Sequence, residues 1–255
     1  MKAVILAAGY GTRLQRDVSA DRSGRFDHLV GSAKPLLPVG RCALISHWVR
    51  ALTASGAVDS VYVVTNALYR AAFEEWAAHF TNVQIVSDQT RSNDERLGAV
   101  ACLQLAVKHF KIEDHVIAIG GDTLFKEDFS LSQVKQKFSD FQAKCDDSCL
   151  VLSYQCRDEE THKYGILEVD REHVLVSMCS QRTVSLCLDT FLEEKEKAPI
   201  EEKDAPGNFV SWLIPRKPVY VHQISGRFDV GNLPSYIECD LYFKENLQDA
   251  ESYMV

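Results

Sequence analysis

The 255-residue chain predicts an α/β protein with an open, mainly parallel sheet and helices on both faces. Short runs of branched apolar residues, the length of buried strands, recur from Ala3 to Tyr154. Between them lie segments of about ten to fifteen residues whose apolar positions keep helical spacing, the pattern of βαβ units. A third observation locates the ligand end. The first and fourth apolar runs break into glycine turns, and in such sheets ligands sit outside the carboxyl ends of the strands.

Taken in order, Ala3 to Leu6 is the first strand, interrupted at once by Gly9 to Arg13. Gln15 to Ser32 is polar and without usable periodicity, which predicts a long mobile loop, uncommon in compact domains unless functional. Leu44, Ile45, Trp48, Val49 and Leu52 predict a helix, with Gly56 suited to its end. Val61 to Thr65 is a strand, Phe73, Trp76 and Phe80 mark a helix, and Val83 to Val86 is the third strand. Leu97, Val100, Leu103 and Val107 give a helix before the fourth strand, His115 to Ile119, which ends in Gly120-Gly121-Asp122. Leu131, Val134, Phe138 and Phe141 mark another helix, and Leu150 to Tyr154 another strand.

The second half is less regular. Tyr164 to Val169 and Val174 to Val176 read as strands, and Lys195 to Lys203 as an exposed helix end and loop. Asp204-Ala205-Pro206-Gly207-Asn208 carries helix-start residues ahead of Phe209, Trp212 and Leu213. Val219 to Val221 is a strand, and Leu233, Tyr236, Ile237 and Leu241 form a closing helix. No repeat, low-complexity tract or linker marks a boundary, so residues 1–255 read as one domain.

Composition narrows the function classes. A chain with 46% hydrophobic and 25% charged residues is ordinary for a soluble globular protein. Its net charge of −8 argues against general affinity for nucleic acid or anionic membrane, so any local Arg/Lys cluster stands out. None of the eight cysteines forms a CxxC pair, which favours reduced thiols in a cytosolic protein over a disulfide framework. The eight histidines show no metal-binding spacing. The apolar start is too short for a signal peptide and no stretch approaches a membrane span, so a cytoplasmic location is expected.

The candidate chemistry begins at Leu6-Ala7-Ala8-Gly9-Tyr10-Gly11-Thr12-Arg13-Leu14. Glycine lacks Cβ and tolerates positive φ, so backbone N–H groups around Gly9 and Gly11 can close on phosphate oxygens. Arg13 and Lys34, the latter opening Lys34-Pro35-Leu36-Leu37-Pro38-Val39-Gly40, add positive charge. The dinucleotide fingerprint fails because Leu14 stands at its third glycine position, and the P-loop fails because no lysine follows in register. A plain tight turn with a solvated Arg13 remains the alternative. Asp122 and Asp229 both sit in glycine turns; if they converge on the basic loop, they make an oxygen site for Mg²⁺, which takes one or two carboxylates plus substrate phosphates. A cap or an ion pair is the competing role for each.

These residues resemble the sugar-1-phosphate nucleotidyltransferases. Leu6–Leu14 matches that family's L-A-x-G-x-G-T-R-L signature, and Lys34-Pro35-Leu36-Leu37-Pro38 its continuation. Gly121-Asp122 is similar to its metal-binding turn, Tyr164-Gly165-Ile166-Leu167-Glu168 to its Y-G-V-V-E strand, and Phe228-Asp229-Val230-Gly231 to its W-x-D-I-G turn. The match is in family order from the first residue to about Phe243.

The resemblance implies a Rossmann-like sheet of the nucleotide-diphospho-sugar transferase type, with a nucleotide half over about residues 1–125 and a sugar half over about 126–245. It implies Mg²⁺-dependent joining of a nucleoside triphosphate and a sugar 1-phosphate to give a nucleotide sugar and pyrophosphate. Leu6, Ala8, Gly9, Gly11, Thr12, Arg13, Leu97 and Gly98 would bind the nucleotide, and Tyr164 and Gly165 the sugar. Arg13, Lys34 and Asp122 would be catalytic, and Asp122 and Asp229 would hold the metal. Neither nucleic acid nor membrane is an expected partner; family members are often oligomers, and no sequence patch points to an interface.

One departure is expected to matter. The family's E-K-P segment, whose lysine binds the sugar phosphate, has no counterpart, and roughly twenty residues of the family's strand-and-loop pattern are missing around Ser177 to Thr183. Lys195 or Lys197 could substitute, against the simpler reading of a solvated Glu/Lys run. Loss of an internal strand would leave a gap or edge and weaken turnover. Two other readings therefore stay open: a cytidylyltransferase acting on a phosphate such as phosphocholine, and a regulatory protein that binds nucleotide or nucleotide sugar without transfer.

Overall fold

A computed structural model describes residues 1–126, 129–155 and 177–246. In chain order these form β1 (Lys2–Leu6), α1 (Thr12–Ala20), β2 (Pro38–Val39), β3 (Cys42–Ala43), α2 (Leu44–Ala54), β4 (Ser60–Thr65), α3 (Arg70–Ala77) and β5 (Val83–Ser87). Then follow α4 (Ala99–His109), β6 (Val116–Gly120), β7 (Thr123–Phe125), α5 (Leu131–Gln142), β8 (Cys149–Ser153) and β9 (Ser177–Cys179). The chain continues through α6 (Gln181–Glu194), α7 (Ile200–Asp204), α8 (Pro206–Leu213), β10 (Val219–Gln223), β11 (Arg227–Asp229) and α9 (Leu233–Asn246).

Among the described residues, the main sheet has seven strands in the order β10-β8-β9-β6-β1-β4-β5. Every neighbouring pair is parallel except those that β9 makes with β6 and β8. Parallel strands need crossovers, and the helices that supply them cover both faces. The two-residue side-chain period of β1 divides the core accordingly. Ala3 and Ile5 pack with residues of α1, α2, α5 and α9, while Val4 packs with residues of α4, α6 and α8.

Residues 15–32, expected as a loop, open as the continuation of α1. Leu14 and Val18, one helical turn apart, bury against the sheet, and the polar remainder of the helix faces out. Gln15 then fastens the following loop. Its Nε2 donates to the carbonyls of Leu29 and Ser32 at 3.1 and 3.2 Å, and its Oε1 accepts from the Gly31 N–H at 2.8 Å.

The expected gap in the sheet is also not there. β9 fills the place between β8 and β6, with Met178 opposite both Leu150 and Ile117. The strands expected over Tyr164 to Val169 and Val174 to Val176 lie outside the described residues.

The register brings the functional loops level. Leu6 pairs with Val64 on one side and Gly120 on the other, so β1, β4 and β6 end on one rim. Beyond that rim, β7 pairs antiparallel with β11, setting Thr123 opposite Asp229. Trp48 of α2 holds β7 in place: its Nε1–H donates to the Thr123 carbonyl at 2.7 Å, and its ring meets Phe125 edge-on at 5.2 Å. No helix among the described residues is long and apolar enough to cross a membrane.

Candidate active site

A cleft of about 710 Å³ opens along this rim. Its wall includes Leu6, Ala8, Gly9 and Arg13 from the first loop, Leu97 and Gly98 before α4, Gly120 and Asp122 after β6, and Asp229 from β11. The structure thus brings eight of the sequence-predicted site residues to one cavity, while Gly11, Thr12 and Lys34 are not on its wall. Tyr164 and Gly165, predicted to bind sugar, lie outside the described residues.

The first loop is shaped by its glycines. Gly11 caps α1 with φ 63°, a conformation glycine adopts without penalty, and Lys34 lies against it: a Cβ there would meet Lys34 Cγ at 3.2 Å. Where a Cβ of Gly9 would project there is open space, so ligand oxygens can approach its backbone. Thr12 is the first residue of α1, whose free N–H groups and dipole favour an anion in the same place.

A buried network that sequence reading missed anchors the loop from below. Asn66, fully buried, donates its Nδ2–H to the Ala8 carbonyl at 2.9 Å. The Tyr10 hydroxyl lies 2.7 Å from Thr90 Oγ1, and Thr90 spends its own proton on Asp88 Oδ1 at 2.8 Å, so Tyr10 is the donor. Partners 58 and 80 residues away in sequence leave no local signal.

The two aspartates converge. The Val230 N–H donates to the Asp122 carbonyl at 3.0 Å, fixing the β11 turn against the β6 turn. Lys34 Nζ stands 3.3 Å from Asp122 Oδ2, and Arg227 Nη2 stands 3.4 Å from Asp229 Oδ2. Arg13 reaches the same turn: its Nη2 lies 3.5 Å from where a Cβ of Gly231 would be.

Burial pushes the Asp229 carboxyl up, and the neighbouring Asp122 pushes it further, while Arg227, Lys34 and Arg13 pull it down. A divalent cation between the carboxylates would relieve that repulsion. No group of three or more His, Cys, Asp or Glu side chains is placed to hold a metal among the described residues. Two carboxylates on the cleft wall are a donor set that a hard ion such as Mg²⁺ accepts beside water and phosphate oxygens.

The raised Asp229 gives a test with a defined sign. Its protonated form contributes stability that is fully present below the unfolded value near 3.8 and is lost as pH rises through the folded value. At pH 7 the ionised group is a net burden, so Asp229→Asn is expected to raise the melting temperature there, with the gain shrinking as pH falls toward 4. Melting curves across that range check it; a lower melting temperature at pH 7 would count against this reading.

At the other end of the cleft, Asp204 at the close of α7 clamps the Leu97–Gly98 turn. Its Oδ1 accepts from the Ala99 N–H and its Oδ2 from Arg96 Nε, each at 3.0 Å. Gly98 has φ 90°, and a Cβ there would lie 2.8 Å from Asp204 Cα. The carboxylate works as a helix cap delivered from over a hundred residues away. Asp204→Ala is expected to cost about 1 kcal/mol of stability, read from denaturant melts.

Lys195 pairs with Glu202 at 2.9 Å on the surface, and neither Lys195 nor Lys197 lines the cleft. The solvated run, the simpler of the two readings, is the one the structure favours.

The family model described as nucleotidyl transferase matches residues 2–179. The mannose-1-phosphate guanyltransferase of Debaryomyces hansenii is 26% identical over 178 residues, covering 68% of this chain and 42% of that protein. The chain therefore spans less than half the length of the curated relative it matches. A Bacillus anthracis structure described as a glucose-1-phosphate thymidylyltransferase, in complex with a sucrose, superposes with a TM-score of 0.71 at 19% identity over 98% of each chain. UDP-glucose pyrophosphorylase from Acinetobacter baumanii gives 0.67 at 16% identity over 98% of this chain and 95% of that one. At such identities the two structures speak for the fold alone.

Proposed function

The chain belongs to the nucleotidyl transferase family, and from that premise we propose that it joins a nucleoside triphosphate to a sugar 1-phosphate, releasing pyrophosphate. The observation that carries this reading is the convergence of Asp122, Asp229 and Arg13 on one cleft, with Lys34 behind them against Asp122. The Debaryomyces hansenii relative, a mannose-1-phosphate guanyltransferase, supports the acceptor class.

In the transfer, an oxygen of the acceptor phosphate forms a bond to the α-phosphorus. The bond from that phosphorus to the bridging oxygen breaks, and the electron pair leaves on pyrophosphate. Little covalent chemistry is asked of the protein; it holds the reactants in line and neutralises charge. The Gly9–Gly11 loop and the start of α1 cradle phosphate oxygens, with Arg13 on the departing pyrophosphate and Lys34 on the α-phosphate. Leu6, Ala8, Leu97 and Gly98 form the apolar seat for the base. Mg²⁺, held by Asp122 and Asp229, would supply positive charge to the phosphate oxygens.

The test is a panel of nucleoside triphosphates against mannose 1-phosphate, glucose 1-phosphate and phosphocholine with Mg²⁺, read as pyrophosphate release and product mass. A sugar 1-phosphate pair that turns over supports the proposal. Turnover confined to phosphocholine, or nucleotide binding without any pyrophosphate, overturns it.

A further inference from the structure

The acceptor's phosphate must enter a cleft that already holds two carboxylates and a triphosphate. Positive charge is needed on its side, and the family lysine expected to supply it has no counterpart in the sequence motif. Among the described residues, the Arg and Lys side chains that line the cleft are Arg13, Arg96 and Arg227. Arg96 is committed at the base end to Asp204 at 3.0 Å and Glu201 at 3.7 Å. Arg13 stands at the triphosphate mouth on α1.

Arg227 stands between Asp229, 3.4 Å away, and the end of β8. Its guanidinium carbon sits 5.6 Å from the ring centre of Tyr154, which follows β8. In the sheet, β8 and the base-side strands β1, β4 and β5 are on opposite sides of β6, the strand that presents Asp122. The β8 side is the part of the cleft away from the base, where the acceptor can meet the α-phosphorus across from the leaving pyrophosphate.

We propose that Arg227 is the residue that binds the acceptor's phosphate, taking the task of the absent lysine from a different element of the fold. The inference rests on the transferase reading above. The side chain is mostly buried, and its head is held by Asp229 and the Tyr154 ring, so the fork is pre-set in the cleft. A planar guanidinium receives two oxygens of one phosphate group, which a lysine cannot do. Arg227 thus bridges the acceptor and the Asp229 carboxylate, and fixes their distance.

The test measures the KM of acceptor and triphosphate separately for wild type, Arg227→Ala and Arg227→Lys, with Lys195→Ala/Lys197→Ala as the competing variant. Calorimetry with mannose 1-phosphate and with unphosphorylated mannose runs alongside. Loss of a charge-assisted contact is expected to raise the acceptor KM about tenfold or more in Arg227→Ala, with partial recovery in Arg227→Lys and the triphosphate KM unchanged. The Lys195/Lys197 variant is expected to match wild type.

An unchanged acceptor KM in Arg227→Ala, or an equal rise for both substrates, would overturn the proposal. Should wild type release no pyrophosphate with any pair, the transferase reading fails and calorimetry decides on Arg227. Weakened binding of mannose 1-phosphate but not mannose upholds its role, and equal binding by wild type and variant refutes it. A wild type that binds no sugar 1-phosphate refutes both. If melting shows Arg227→Ala to be unfolded, the acceptor KM of Arg227→Lys decides alone: raised, it supports the role, and unchanged, it removes it.

Discussion

Replacing Asp122 by asparagine is expected to lower pyrophosphate release by about two to three orders of magnitude with little change in stability. The carboxylate is 38% exposed, and its contact with Lys34 Nζ at 3.3 Å can be kept by an amide oxygen. The turn is held instead by backbone bonds, from the Gly121 N–H to the Leu6 carbonyl and from the Val230 N–H to the Asp122 carbonyl. What the change removes is a negative oxygen beside Asp229, and with it half of the candidate metal site. Steady-state rates and a melting curve check this. A variant working at near wild-type rate would remove Asp122 from the chemistry.

The second large effect is expected at its neighbour. A Cβ on Gly121 would lie 2.9 Å from the Leu6 carbonyl oxygen, 3.0 Å from Pro35 Cγ and 3.2 Å from Ala7 Cβ. Two of these neighbours are rigid: the carbonyl belongs to a central strand, and the proline follows Lys34 in a 3₁₀ turn. Gly121→Ala must therefore push the first loop, the lysine turn and the Asp122 turn apart together. A stability loss of about 1–3 kcal/mol is expected from overpacking, and turnover should fall with it, because Lys34 and Asp122 both move. Denaturant melts and rates on the same preparation test the coupling. Wild-type rates in a destabilised variant would show that the turn is structural only.

The fold was largely legible because buried parallel strands announce themselves. Val61 to Thr65, Val83 to Val86 and His115 to Ile119 correspond to β4, β5 and β6 within a residue or two at each end. The family resemblance carried by residues 6–14 is borne out by the family match. α1 was missed for a physical reason. With nine residues and only Leu14 and Val18 buried, it offers one apolar pair, and Gly11 is not among the strongest helix-cap residues. β9 was missed because three residues cannot show a period; pairing on both sides makes it a strand.

The candidate site was legible where local motifs carry it and not where folding does. The Gly9–Arg13 loop, Lys34, Asp122 and Asp229 each sit in a short recognisable string. Asn66, Asp88 and Thr90, which support the loop, and Asp204, which caps α4, act through contacts that only the assembled sheet creates. Arg227 lay within reach. It stands two residues before Asp229, but its meaning depends on Tyr154 and the cleft, which the string does not show.

The most direct measurement follows the α-phosphorus itself. With α-³²P-labelled triphosphate and a sugar 1-phosphate in a single turnover, label is expected in a nucleotide sugar, one for one with pyrophosphate, and both products should form about a hundred- to a thousandfold more slowly with Asp122→Asn. Label that stays in the triphosphate while the nucleotide binds, or that leaves as nucleoside diphosphate with orthophosphate, would contradict transfer at this site.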